Sequence, residues 1–254
     1  MEKEAVLFEG MTSIRAVIDG ARNGVHTRRI TEILYDGARK KAKEKELAYL
    51  RAVGREMGFP VTETAAEKID ALTSGTSHGG IIAYCTERTI PTLAEDSLPE
   101  NGFAVMLEGI EDPFNFGYAM RTVYAAGADA VILSPRNWMQ AAGTVCKSSA
   151  GASELLPLYI ADGADAARIA RVRGYKIVCA GIRDSVSAFD ADLKKPLLLI
   201  VGGEKRGISR ALLDEADTVV RLDYGRPFRG SLSAASAASV LAYEVLRQNR
   251  ESDN

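Results

Sequence analysis

Histidine and cysteine are both scarce in this chain. Two histidines, His26 and His78, and three cysteines, Cys85, Cys146 and Cys179, are spread over 254 residues. With no Cys-x-x-Cys pair among them, neither a zinc site nor a disulfide framework is supported, and no metal is expected. The cysteines lie in apolar or small-residue surroundings, where a thiol packs as a small hydrophobe. Long apolar runs are missing too. None is longer than the five residues of Leu197–Val201, far too short to cross a membrane. The first residues, MEKEAVLFEG, lack the basic start and apolar core of a signal peptide, so a reducing cytoplasm is the expected compartment. No G-x-G-x-x-G follows a strand-like run, which argues against a Rossmann dinucleotide site. A large excess of one charge is also absent. The net charge of −2 argues against a protein that coats nucleic acid.

The charge that is there is unevenly placed. Residues 20–60 hold ten Lys/Arg against five Asp/Glu, with Arg28, Arg29, Lys40 and Lys41 at the densest points. Composition alone leaves two readings open, a solvated helix face or a patch for phosphates. In the same region RITEILY (29–35) and GIIAYC (80–85) read as strands and Lys40–Met57 as a helix. Residues 88–102, RTIPTLAEDSLPENG, read as a linker.

Beyond that stretch the pattern is strongly βα. FAVMLEGI (103–110), AVILS (130–134), YKIVCAG (175–181), LLLIVGG (197–203) and TVVRL (218–222) read as strands. Helices are expected over 115–127, over 162–174 with Asp162 as cap, and over 209–217 with Ser209 as cap. Continuous apolar strands between helices imply a parallel sheet covered on both faces. Ligands of such sheets bind beyond the carboxyl ends of the strands.

Three of the loops found there combine glycine with Asn, Glu or Arg. The first contains Asp112-Pro113-Phe114-Asn115-Phe116-Gly117, with Asn115 able to cap the next helix and Arg121 inside it. The second is Gly202-Gly203-Glu204-Lys205-Arg206-Gly207-Ile208-Ser209. It has the glycine spacing of a P-loop, but Ile208 stands where that motif needs lysine. The third runs from 223 to 233 and leads into a helix that opens almost wholly in Ser and Ala, Ser231-Leu232-Ser233-Ala234-Ala235-Ser236-Ala237.

These three motifs in this order resemble the SpoU (TrmH) family of RNA ribose 2′-O-methyltransferases, within the SPOUT superfamily. The resemblance covers residues 103–250 and extends to Lys147-Ser148-Ser149-Ala150-Gly151-Ala152. Residues 1–95, with His78-Gly79-Gly80-Ile81-Ile82-Ala83 near their end, look like the small α/β domain that binds RNA in ribosomal-RNA members. The resemblance implies an α/β fold, with a C-terminal SPOUT domain over 96–254 whose mostly parallel sheet ends in a trefoil knot. The tucked Ser/Ala helix suits such a knot, because close backbone crossings leave no room for large side chains.

It also implies a cofactor, S-adenosylmethionine, held mainly by backbone groups at Gly202, Leu222 and Leu232. Arg121 is the group expected to act on the ribose 2′-hydroxyl, either as base or by orienting the hydroxyl and a phosphate. Asn115 would position substrate or Arg121, and Glu204 would fix the loops or Arg121. Arg28, Arg29, Lys40 and Lys41 would serve RNA. Arg226 and Arg229 would reach RNA phosphates or a partner subunit, since members of this family form dimers. One position departs from the pattern: Ser233 stands where the family usually has Asn. The alternative reading is therefore an RNA-binding relative with weak or no turnover.

Overall fold

The computed structural model describes residues 5–73, 75–135, 141–204 and 207–250. In chain order the first elements are β1 (Val6–Glu9), α1 (Gly10–Arg22), β2 (Ile30–Asp36), α2 (Glu44–Met57), β3 (Val61–Thr64), α3 (Ala66–Leu72) and β4 (Ile81–Cys85). They are followed by β5 (Phe103–Glu108), α4 (Pro113–Ala125), β6 (Ala130–Leu133), α5 (Ala142–Ser148), α6 (Ala152–Leu155) and β7 (Leu158–Ile160). The chain closes with α7 (Gly163–Val172), β8 (Lys176–Ala180), β9 (Val186–Ser187), β10 (Leu197–Gly202), α8 (Arg210–Asp214), β11 (Thr218–Arg221) and α9 (Ala234–Asn249). None of the described helices is long and apolar enough to cross a membrane.

Contacts divide the chain into two compact units, Met1–Thr89 with Asn137–Leu155, and Ile90–Arg136 with Leu156–Asn254. The first unit carries a four-stranded sheet in the order β1-β4-β2-β3. Its core gathers Phe8, Ile14, Val17, Ile18, Ile33, Leu47, Leu50 and Ile81. Helices α5 and α6 belong to this unit although they lie far along the chain. Glycines in α5 and just before α6 explain how closely they pack: a Cβ on Gly143 would clash with the Leu7 carbonyl oxygen, and one on Gly151 would stand 2.6 Å from the Ala16 methyl.

A buried ion group joins α6 to the start of β2. Arg28 Nε donates to Glu154 Oε2 at 3.0 Å and Nη1 to the Thr86 carbonyl at 2.8 Å, with the guanidinium over the Phe8 ring. This corrects the expectation that Arg28 serves RNA. The residue is 2% exposed, and a guanidinium paired with Glu154 in the interior is out of reach of a phosphate. Arg88 is buried in the same unit and donates to the Ser153 carbonyl at 2.8 Å.

His26 sits beside the same carboxylate. Its Nδ1 accepts the Arg28 backbone N–H at 3.2 Å, which leaves Nε2 3.3 Å from Glu154 Oε2. Burial lowers its pKa from 6.5 to about 4, against the opposing pull of Glu154. The unfolded chain therefore binds a proton here between about pH 6.5 and pH 4 that the folded chain does not. His26 contributes its stability fully above pH 6.5 and loses it as pH falls through 4. The expected size is roughly 3 kcal/mol. Thermal melts of His26→Gln should fall less steeply than the parent's over that pH window, and parallel acid limbs would contradict this assignment.

In the second unit seven strands follow the order β7-β6-β5-β10-β8-β11-β9, and every pairing is parallel. The sheet is the one the continuous apolar runs imply. Phe103–Met106 and Leu197–Ile200 are fully buried. Ala104, Met106, Leu198 and Ile200 pack on one face with Ala166, Ala167 and Ala170 of α7. Strand alternation turns the intervening residues to the other face, where α9 packs against β10 and α4. Ala234, Ala235, Ala238 and Ala242 of α9 are buried, so the small residues allow the close approach their sequence suggests.

Two local expectations change. Residues 88–102 are not a free connection: Leu93 and Leu98 are core residues, and along β7 the Leu93 N–H donates to the Ile160 carbonyl while the Ile160 N–H donates to the Pro91 carbonyl, each at 2.9 Å. The turn-rich composition is real, but two leucines tie it down. Asn115 is not the cap of α4 either. Asp112 caps it, its Oδ1 accepting the Asn115 N–H at 2.7 Å, with Pro113 in the first turn.

All three cysteines are buried. Burial pushes the Cys85 and Cys179 thiols up to about 12 and that of Cys146 higher still. They stay protonated and unreactive.

Candidate active site

The loops after β5, β10 and β11 leave the same, carboxyl edge of the second unit's sheet. β5 and β10 run in register to their ends, with Glu108 opposite Gly202. Past that point the two loops touch backbone to backbone. The Gly203 N–H donates to the Glu108 carbonyl at 2.6 Å, and a Cβ on Gly203 would lie 2.1 Å from the Gly109 oxygen. Within the second loop, Gly207 N–H donates to the Gly203 carbonyl at 2.9 Å. Gly207 itself takes φ +62°, a conformation that favours glycine.

This arrangement forms two adjoining clefts. The larger, about 640 Å³, is bordered by Gly202, Leu222, Asp223, Arg229 and Leu232, with Ile182 at one side. The smaller, about 130 Å³, is bordered by Gly109, Glu111, Asp112, Asn115 and Glu204. Glu204 and Ala234 border both.

The structure thus brings Gly202, Leu222 and Leu232 to one cleft and Asn115 and Glu204 to its neighbour. Arg229 borders the larger one, while Arg226 is exposed outside it. Lys205 and Arg206 of the second motif lie outside the described residues.

Ser233 has a local task. Its Oγ accepts the Ser236 N–H at 3.2 Å, capping α9. Asparagine and serine cap helices about equally well, so the departure at this position keeps the start of α9 intact.

Arg121 borders neither cleft. It is exposed on α4, three and seven residues after Tyr118 and Phe114, which places the three on one helix face. Phe114 and Tyr118 are each 51% exposed, and Val240 and Tyr243 of α9 are 41% and 50% exposed.

Two carboxyl groups at this edge escaped the sequence reading. Glu108 closes β5 with its Oε2 buried and without a hydrogen-bond partner among the described residues. Burial raises its pKa, the Ser209 backbone N–H working against that. Asp223 directly follows Leu222. Hydrogen bonding to Ser187 and to the Arg221 guanidinium holds its carboxyl below the usual range. The signal that could have found both is position alone, since each stands at the carboxyl end of a parallel strand. The third loop also folds on itself. Tyr224 and Phe228 meet edge to face at 5.5 Å, and the Leu232 N–H donates to the Tyr224 hydroxyl at 3.2 Å.

Residues 102–243 match the model of the SpoU rRNA Methylase family, more than half of the chain. The chain belongs to that family. Among curated relatives, a 23S rRNA (guanosine-2′-O-)-methyltransferase RlmB from Burkholderia is 29% identical over 86% of this chain and 89% of its own. One from Shewanella oneidensis is 27% identical over 98% of this chain and 100% of its own. Among solved structures, an AdoMet-bound rRNA methyltransferase from Sinorhizobium meliloti superposes with TM-score 0.79 at 24% identity. It covers 97% of this chain and 88% of its own. The SpoU methyltransferase AviRb from Streptomyces viridochromogenes, in complex with AdoMet, gives TM-score 0.76 at 22% identity over 96% and 90%. The SpoU match begins at the foot of β5 and ends within α9, so it spans all three loops that build the clefts.

Proposed function

We propose that this protein transfers methyl from S-adenosylmethionine to a ribose 2′-hydroxyl of RNA, with ribosomal RNA as substrate. The observation that carries the reading is the convergence of the three family motifs on two adjoining clefts at one sheet edge. The larger cleft suits the cofactor. Its size lies within the usual range for small-molecule sites, Leu222 and Leu232 offer apolar walls, and Gly202 brings bare backbone to its margin. Gly202, Leu222 and Leu232 are the residues that would hold it.

When bound, S-adenosylmethionine supplies a methyl group already activated on a sulfonium. What remains for the chain is to align the hydroxyl and see its proton leave. Asn115 and Glu204, in the smaller cleft beside the cofactor's, are placed to orient the acceptor nucleotide. Arg121 is the residue for the hydroxyl itself. A guanidinium offers hydrogen-bond donors and no acceptor, so its part is to fix the hydroxyl and a neighbouring phosphate while the proton passes to phosphate or water.

Its position on the exposed Phe114–Tyr118 face supports a homodimer that closes over α4 and α9. Arg121 then lies at the junction of two subunits, and Arg226 and Arg229 are available to RNA or to that partner. The strand order, with β10 between β5 and β8, and the small-residue opening of α9 support the C-terminal knot. The first unit would carry the RNA. Of its basic residues Arg29, Lys40 and Lys41 are exposed, although Lys40 also pairs with Glu63 at 2.9 Å. The protein is expected to work in the cytoplasm, where ribosomal RNA is.

The test is transfer of labelled methyl from the cofactor to ribosomal RNA, followed by mapping of ribose methylation in RNA from cells with and without the protein. Neutralising Arg29, Lys40 and Lys41 together should weaken RNA binding and flatten its salt dependence. RNA that binds the chain but never gains a methyl would point instead to a relative without turnover.

A further inference from the structure

We propose that Asp223 binds the ribose cis-diol of the cofactor, through the carboxylate lone pairs that Arg221 leaves open. The inference rests on the reading of that cleft as the S-adenosylmethionine site, and it assigns a side-chain contact where the family motifs point to backbone.

Asp223 borders the cleft immediately beside Leu222, two residues past the end of β11. Its carboxylate is held in place. Arg221 Nε donates to Asp223 Oδ1 at 2.9 Å, and the same guanidinium is anchored through Nη1 to the Ser185 carbonyl at 2.6 Å. The β9–β11 pairing sets Ser187 opposite Arg221. An ionised carboxylate offers about four acceptor sites. Arg221 takes one of them, at Oδ1, which leaves acceptor sites for a ligand.

The chemistry of the surroundings selects the ligand group. A ribose diol presents two adjacent hydroxyl donors, which one fixed carboxylate can accept together. Dinucleotide sites use an acidic residue near a strand end in the same way. The competing group on the cofactor is its α-ammonium. Arg221 already neutralises Asp223 and would repel a second cation, whereas a neutral diol meets no such opposition. The neighbouring walls, Leu222, Leu232 and Ile182, are apolar and suit the nucleoside end better than the charged amino-acid end.

Calorimetry with two probes separates these cases. S-adenosylhomocysteine carries both the diol and the ammonium, and methylthioadenosine keeps the diol but lacks the amino-acid part. Asp223→Asn should weaken both by about tenfold or more, the size of a hydrogen bond to a charged group. The parent chain should show a similar loss with 2′,3′-dideoxy methylthioadenosine, and Asp223→Asn should add little to it. Because the dideoxy arm needs no variant, misfolding of Asp223→Asn would not shield the proposal. Weakened binding of S-adenosylhomocysteine alone would place Asp223 on the ammonium and overturn it. Unchanged affinity for both probes would overturn it while leaving the cofactor cleft standing. A parent chain that binds neither probe would overturn the cofactor reading and this inference with it.

Discussion

Gly202→Val is expected to lose at least about a hundredfold in affinity for S-adenosylmethionine, corresponding to the ~3 kcal/mol that severe overpacking costs. A Cβ at this position would stand 2.4 Å from the Gly207 carbonyl carbon and 2.6 Å from the Ile208 nitrogen. Those atoms are backbone, so no rotamer change can make room. Gly207 and Ile208 must move away, which disturbs the margin of the larger cleft that Gly202, Gly203 and Gly207 form. Gly225→Ala is the matched control. It lies in the third loop, a Cβ there meets nothing within 4 Å, and affinity should stay near the parent's. Equal affinity in Gly202→Val and the parent would mean that the cofactor does not depend on this loop.

The parts of the fold that the sequence announces are those with short-range causes. Residues 197–201 of β10 are apolar without a break because the strand is covered on both faces, and the run can be read directly. The glycines of the second motif are equally legible, since their backbone approaches are local to the loop. The capping of α4 is a nearer miss. Asp112 and Asn115 are both good cap residues, and the choice falls to Asp112 because Pro113 occupies the first turn and needs no donor.

Long-range pairing is what stayed hidden. Arg28 looks like a surface cation in a basic stretch, and its true partner, Glu154, lies 126 residues further on. The packing of α5 and α6 against β1 and α1 has the same character. It depends on Gly143 meeting Leu7 and Gly151 meeting Ala16, contacts that no local pattern encodes. The site divides along the same line. The motif residues can be named from the sequence, while Asp223 and Glu108, beside the motifs, draw notice only once the strand ends are placed.

Arg121→Ala should lower methyl transfer by about two powers of ten or more, the low end of what a positioned proton-transfer group supplies. Fold and cofactor affinity should stay near those of the parent. The side chain is exposed, borders neither cleft and makes no ion pair with a described residue, so its removal leaves no cavity and no buried charge. Arg121→Lys should recover little, because lysine has no planar fork to hold a hydroxyl and a phosphate together. The exposed face that Arg121 shares with Phe114 and Tyr118 adds a sharper consequence. If a homodimer closes over this face, Arg121 can serve the facing subunit's site. Mixing Arg121→Ala with Gly202→Val subunits would then form heterodimers with one intact site each. Random pairing should restore roughly a quarter of the parent rate, whereas an arginine that serves its own chain would leave every mixed dimer inactive. An Arg121→Ala protein that methylates RNA at the parent rate would defeat the mechanism outright, whichever subunit the residue serves.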